Sequence, residues 1–413
     1  MELRDSGRTI SFFSRIIFQI PTIAVSTLTM IAISRNLGPS GRGEISQILL
    51  FAALASSILC TPIFLTIMNL GDSSEIKSYV SRSLFLFSRN NVALIALFDM
   101  YLLFFNRTTN REVNFSLIGY MDLLIISYFI SAQIRDLLLR FHRNKIYGVD
   151  FAVQMLIATP IFFLLLTHAL NVLEVIQVFT FAYGLYAVFL LVLLKSRTQE
   201  FDYANLIRKR NFFANNPNVL RISTSFSKSG LLFQIVLSKD LLFGSILLPK
   251  GDFGLMSALT SFWFVLRFLR PSAVLQAKLG QRSGKEFGPK SKFLEFIARP
   301  TSAIYLQSVS IGIMGFFSYI LTPILMGRGF KPEITMSIAG AVSEILLMKC
   351  LYDLSTAHGK FSEGTFILVC LFQILMFVVF KITDVKISIL VIWLSSCVVY
   401  ATWQLINLVK SKS

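Results

Sequence analysis

The chain has 413 residues, of which 54% are hydrophobic and only 15% charged, and its mean hydropathy is +0.68. A soluble protein carries about 25% charged residues, and apolar runs of about 20 residues are too long and too continuous for a barrel, so the composition predicts an all-α integral membrane protein. The net charge of +17 is expected of loops that orient spans in a bilayer, and it calls for no nucleic-acid partner.

The N-terminus, MELRDSGRT, is polar and runs straight into an apolar segment with no small-residue cleavage site, so no cleavable signal peptide is expected. About twelve spans follow. The first covers Ile10 to Ser34 and the second Glu44 to Met68. The third covers Asn91 to Phe105, the fourth Phe115 to Ile134, the fifth Phe151 to Leu170 and the sixth Val175 to Leu194. After a polar connection rich in Arg, Lys and Asn come the seventh, Ser229 to Leu248, and the eighth, Phe253 to Pro271. The ninth is Thr301 to Met326, the tenth Ile334 to Leu354, the eleventh Thr365 to Phe380 and the twelfth Ile387 to Val409. The division expected is an N-terminal lobe over 1–200 with spans one to six, a cytoplasmic connection over 201–228, and a C-terminal lobe over 229–413 with spans seven to twelve.

Lys and Arg set the orientation. With the N-terminus cytoplasmic, about 25 fall on the inner side and about 9 on the outer, the latter including Arg35, Arg42, Lys250 and Arg328. Both termini are therefore expected inside. The four cysteines, Cys60, Cys350, Cys370 and Cys397, lie in or beside apolar runs without a CxxC and read as buried small hydrophobes. No HExxH, Ser/His/Asp or Walker pattern is present, so neither a catalytic residue nor a metal site nor a nucleotide site is expected.

A connection recurs at half-length. Ile33 to Ser46 reads ISRNLGPSGRGEIS, and Leu248 to Ser257 reads LPKGDFGLMS. Pro39 pairs with Pro249, Gly41 with Gly251 and Gly43 with Gly254, with one extra residue in the second copy. With six spans in each half, this is the pattern of a duplicated transporter whose halves share one orientation.

The LGPSGRG turn resembles the LGPxGxG signature of polysaccharide flippases of the multidrug/oligosaccharidyl-lipid/polysaccharide exporter superfamily. SKDLLFG at Ser238 to Gly244, LTPILMGRGF at Leu321 to Phe330 and AHGK at Ala357 to Lys360 are similar to later patterns of that superfamily, in the same order. Wzx-type O-antigen flippases are the nearest in length and in the Phe-rich spans. The resemblance implies a V-shaped, MATE-like fold of two six-helix lobes around a central cavity. It implies alternating access that carries an undecaprenyl-diphosphate-linked oligosaccharide, of O-antigen or capsule, to the periplasmic leaflet of a bacterial inner membrane. No cofactor is implied beyond an ion gradient, of protons or sodium. The implied partners are the lipid-linked oligosaccharide and the bilayer itself, with a polysaccharide polymerase and a chain-length regulator acting next.

Ionisable residues within spans are the site candidates, because each is expensive in hydrocarbon. Arg15, Lys239, Arg267, Arg270 and Lys349 are candidates to hold an anionic substrate; Arg267 and Arg270 are three apart and share a helix face. The related peptidoglycan-lipid flippases use cavity arginines on the first, second and eighth spans; Arg15 and Arg267 match by span, and the interior of the second span offers none. Asp99, Asp240 and Glu344 are candidates for ion coupling. Lys239 and Asp240 lie about 100° apart on a helix and need not pair, and Lys349 is poorly spaced to meet Glu344. The rival readings are an ion-coupled multidrug exporter of the same superfamily and a polysaccharide polymerase.

Overall fold

A computed structural model describes residues 12–59, 115–197, 238–268, 300–356, 371–377, 379 and 387–412. Every element among them is helical: α1 (Phe12–Leu59), α2 (Phe115–Thr167), α3 (Val172–Arg197), α4 (Lys250–Phe268), α5 (Pro300–Met326), α6 (Ile334–Thr356) and α7 (Ile389–Lys412), with further helical segments at 238–247 and 371–377. Five helices among the described residues are long and apolar enough to cross a membrane. The chain is an all-α membrane protein. It falls into two compact units, one of residues 1–30 and 47–236, the other of residues 31–46 and 237–413.

In the first unit, α2 packs along α3. The fourth and fifth spans, expected as separate elements, lie on one continuous helical ribbon of 53 residues. That ribbon is not straight. Arg135 Nη2 meets Asp150 Oδ2 at 2.7 Å although the two are 15 residues apart, a spacing that would cover roughly 22 Å along a straight helix. The ribbon must therefore double back between an arm around Ile118–Ala132 and the span Gly148–Thr167. The Tyr186 hydroxyl of α3 donates to Asp150 Oδ1 at 2.5 Å, tying the bend to the neighbouring helix. At the opposite end Asn171 and Glu174 form a capping box. Asn171 Oδ1 accepts from the Glu174 amide at 2.9 Å, and Glu174 Oε2 accepts from the Asn171 amide at 3.0 Å. That box sets the start of α3, three residues before the expected span.

The faces follow bilayer logic rather than aqueous logic. Phe163, Leu166, Phe181 and Val192 are exposed, while Ser127, Ser131 and Thr180 are buried. These buried hydroxyls are satisfied within their own helix or by its neighbour: Ser127 donates to Leu123 O, Ser131 to Ser127 O and Thr180 to Tyr120 O. Hydrocarbon offers them no other partner.

In the second unit α5 packs between α4 and α6, and α7 lies against α6. Close approach of α5 and α6 depends on small residues, since a β-carbon on Gly315 would overlap that of Ala341. Residues 31–46 belong to this unit and organise one end of it. The expected loop between the first two spans is helical except at one residue, Gly38, with φ 67° and ψ −173°. That conformation is almost confined to glycine. The next residue, Pro39, opens the second arm of α1, where its missing N–H costs nothing and its fixed φ suits a first helical turn. In the second copy of the turn, helix 238–247 ends with the Leu248 amide bonded to Gly244 O at 3.0 Å. Pro249 then caps α4 by accepting from the Phe253 amide at 2.9 Å.

The two turns pack on each other reciprocally. A β-carbon on Gly43 would overlap the carbonyl oxygen of Lys250, and one on Gly254 would overlap that of Pro39. Ser46 Oγ and Ser257 Oγ share a hydrogen bond of 2.6 Å. Lys250 Nζ reaches Glu44 Oε2 at 2.6 Å across the same contact. The matched positions are thus Pro39 with Lys250, Gly43 with Gly254 and Ser46 with Ser257, each 211 residues apart. The pairing of Pro39 with Pro249 is off by one residue, because helix register rather than the prolines sets the equivalence. Arg35 completes this end. Its Nε and Nη2 donate to Leu325 O and Ile324 O, each at 2.6 Å, satisfying carbonyls that the end of α5 leaves open.

Candidate functional site

The second unit holds a buried charged cluster at the heart of its helix packing. Lys239 enters from helix 238–247 and is 4% exposed. Its Nζ donates to Gln373 Oε1 at 2.6 Å and to Ser396 Oγ at 3.0 Å, lies 3.3 Å from Asp240 Oδ1, and sits 4.4 Å from the centre of the Tyr400 ring. The ammonium thus uses its three donors, with the aromatic face supplying a further favourable contact. Asp240 accepts from Ser396 Oγ at 2.6 Å and from Ser343 Oγ at 3.2 Å. Gln373 Nε2 donates to Ser395 Oγ at 2.8 Å and to Ser396 Oγ at 2.9 Å. Four segments therefore contribute: helix 238–247, α6, helix 371–377 and α7.

Adjacent residues on a helix diverge by about 100°, yet Lys239 and Asp240 do pair. The four-carbon lysine stem bends back toward its neighbour, and Ser396 lies between the two charges and bonds to both. A buried ion pair repays its desolvation only when every donor and acceptor is matched, and this network comes close to that condition. Removing either charge would leave the other without its ion-pair partner, so the cluster ties the two charges of one helix to the packing of four helical segments.

The remaining candidates distribute as follows. Glu344 is buried on α6, next to Ser343 of the cluster, and takes part in interactions of its own. Lys349, on the same helix, is exposed and joins neither Glu344 nor the cluster. Arg15 lies in α1 and Arg267 in α4, in each case with a side chain outside the described residues; Arg270 and Asp99 lie wholly outside them. The structure thus brings together Lys239 and Asp240, with Glu344 alongside.

Sequence reasoning missed Arg42. Counted as an outer-loop charge, it stands in the first turn of the second arm of α1 and is 3% exposed. Nη2 donates to Ser261 Oγ at 2.8 Å. The signal for it was Gly38-Pro39, which reads as a helix start rather than a loop. Cys350 and Cys397 are free thiols, and no metal-binding group of side chains occurs among the described residues.

No protein-family profile and no curated protein matches the chain. Among solved structures the chain is similar to the eukaryotic MATE transporter AtDTX14, at 12% identity over 96% of this chain and 94% of that chain, with a TM-score of 0.47.

Proposed function

We propose that this protein is a membrane transporter that works by alternating access. Its cargo is an undecaprenyl-diphosphate-linked oligosaccharide, an O-antigen or capsule repeat, moved from the cytoplasmic to the periplasmic leaflet. The observation that supports transport is the Lys239–Asp240 cluster, two charges on helix 238–247 of an all-α membrane protein, tied by hydrogen bonds to three other segments, one of them the span-length helix α7. Charges so placed are costly, and in membrane proteins they mark substrate or ion pathways. The lipid-linked substrate is favoured by the LGPSGRG and LTPILMGRGF resemblances. On this reading the protein performs no covalent chemistry. It sits in a bacterial inner membrane with both termini cytoplasmic, built as lobes 1–200 and 229–413 joined by 201–228. An ion gradient supplies the energy, and a polymerase with its chain-length regulator takes up the delivered repeats.

A second reading, an ion-coupled exporter of drugs from the same superfamily, is favoured by the part-buried Asp240 and the buried Glu344. One experiment separates the two. The gene is deleted in its host, and lipid-linked repeats are assayed on both faces of the inner membrane. Single repeats trapped on the cytoplasmic face, with loss of surface polysaccharide, support the flippase. Repeats that still reach the periplasmic face unjoined point to a polymerase instead. Unchanged polysaccharide with raised drug sensitivity supports the exporter.

A further inference from the structure

We infer that Arg42 is an oxyanion-binding residue of the transport path, shut away in this conformation and presented to an anionic substrate when the helices crossing at Gly43 and Gly254 part. The inference rests on the transport reading above and adds to it a residue and a substrate chemistry.

The guanidinium carries five N–H donors and stays charged. Arg42 is almost wholly buried, yet it has one bond, to the hydroxyl of Ser261. Among the described residues Nε and Nη1 have no partner, and no carboxylate pairs with the group. Glu44, the nearest acid in sequence, is taken by Lys250 at 2.6 Å. A buried cation without a counter-charge is among the costliest arrangements a protein can hold, and more so among membrane helices. Structural need does not explain it, because Gly43, Gly254, Ser46 and Ser257 make the helix contact without it.

The direction of the side chain agrees with a ligand role. Arg42 lies three residues past Pro39, whereas Ser261 lies eleven past Lys250, the position that matches Pro39. Arg42 therefore reaches roughly two helical turns along α4, away from the turns and toward the span. Nε and Nη1 lie on the two different edges of the guanidinium that each shares with Nη2, so both edges keep an open donor for a phosphate or carboxylate oxygen. The ligand class is thus an oxyanion: the diphosphate of a lipid carrier or the carboxylate of an acidic sugar.

The test uses the full-length protein in nanodiscs, with inorganic pyrophosphate and glucuronate as probes and thermal unfolding as readout. Either probe should stabilise the wild type, and Arg42→Met should weaken that response by about tenfold or more, as loss of a charged hydrogen-bonding group does. Without probe, Arg42→Met should unfold no lower than the wild type. Response to pyrophosphate alone assigns the lipid diphosphate, and response to glucuronate alone the sugar. A Ser46→Cys/Ser257→Cys pair, oxidised to lock the crossing, should lose the response and regain it on reduction. No response in the wild type, an equal response in Arg42→Met, or probe-free destabilisation of that variant overturns the inference. An undiminished response in the locked protein overturns the sequestration. The binding result stands apart from leaflet assays, so failure here and failure of the flippase reading are distinguishable.

Discussion

The glycine crossing makes the sharpest test of how the two turns hold together. In Gly254→Ala the new methyl would overlap the Pro39 carbonyl and press on the Gly43 amide, and both are backbone that no rotamer change can move. The helices would have to separate by roughly 1.5 Å to restore contact distances near those of Cα–H···O pairs. Separation weakens two such contacts, worth about 0.5–1 kcal/mol each, and stretches the Ser46–Ser257 bond, worth about 0.6–2 kcal/mol between membrane helices. The crossed arrangement should therefore lose about 2–4 kcal/mol, which is roughly 30-fold to 1000-fold in its population. The assay is the oxidation rate of a Ser46→Cys/Ser257→Cys pair, with and without Gly254→Ala. Gly251→Ala is the control, since its β-carbon would find only Ser40 Oγ at 3.6 Å. Equal oxidation rates in the Gly254→Ala and Gly251→Ala backgrounds would refute the reasoning.

Other consequences follow from single contacts. Lys239→Met leaves the part-buried Asp240 without its cation and should destabilise the protein by about 1–3 kcal/mol; adding Asp240→Asn should recover most of that in thermal unfolding, while transport stays lost in both. Arg35→Ala removes two charged bonds to the end of α5. Because Arg35 is partly solvated, the cost should be about 1 kcal/mol rather than the larger value of a buried group, read as a lowered Tm. Asn171→Ala breaks the capping box of α3 and should cost about 1 kcal/mol, seen as faster amide exchange in the first turn of that helix; unchanged exchange would assign the helix start to packing instead.

The strongly apolar runs were legible because hydrocarbon demands them. The ninth and tenth spans appear as α5 and α6 within two residues of the expected ends. The interruptions were less legible. Arg35 and Arg42 looked like loop because charge density lowers hydropathy, yet a helix continues through them, broken at Gly38 alone. What keeps charges there is pairing that no window average can see: Arg35 on the carbonyls of α5 and Glu44 on Lys250. The same holds for the stretch between the fourth and fifth spans, where Arg135 finds Asp150. Lys239 and Asp240 were legible as intramembrane charges, but their union depends on Ser396 and Gln373, more than 130 residues away.

The duplication itself is clearest in contact positions, and this gives a last prediction. Both prolines stop one helix and start the next, but Pro39 does so as the first helical residue and Pro249 as the cap before it. Counting from the first helical residue, glycine falls four positions on and serine seven in both copies, spacings that share one helix face. Each position therefore meets its own counterpart, as at a local two-fold axis. Ser46 and Ser257 share a single hydrogen bond, so removing either hydroxyl should remove the same interaction. Ser46→Ala and Ser257→Ala should each cost a similar amount, about 0.6–2 kcal/mol, and the double variant should cost little more than one of them. Thermal unfolding of the four proteins in one lipid composition measures the coupling directly. Additive losses would mean that the two hydroxyls serve separate partners and that the reciprocal contact does not hold in the membrane.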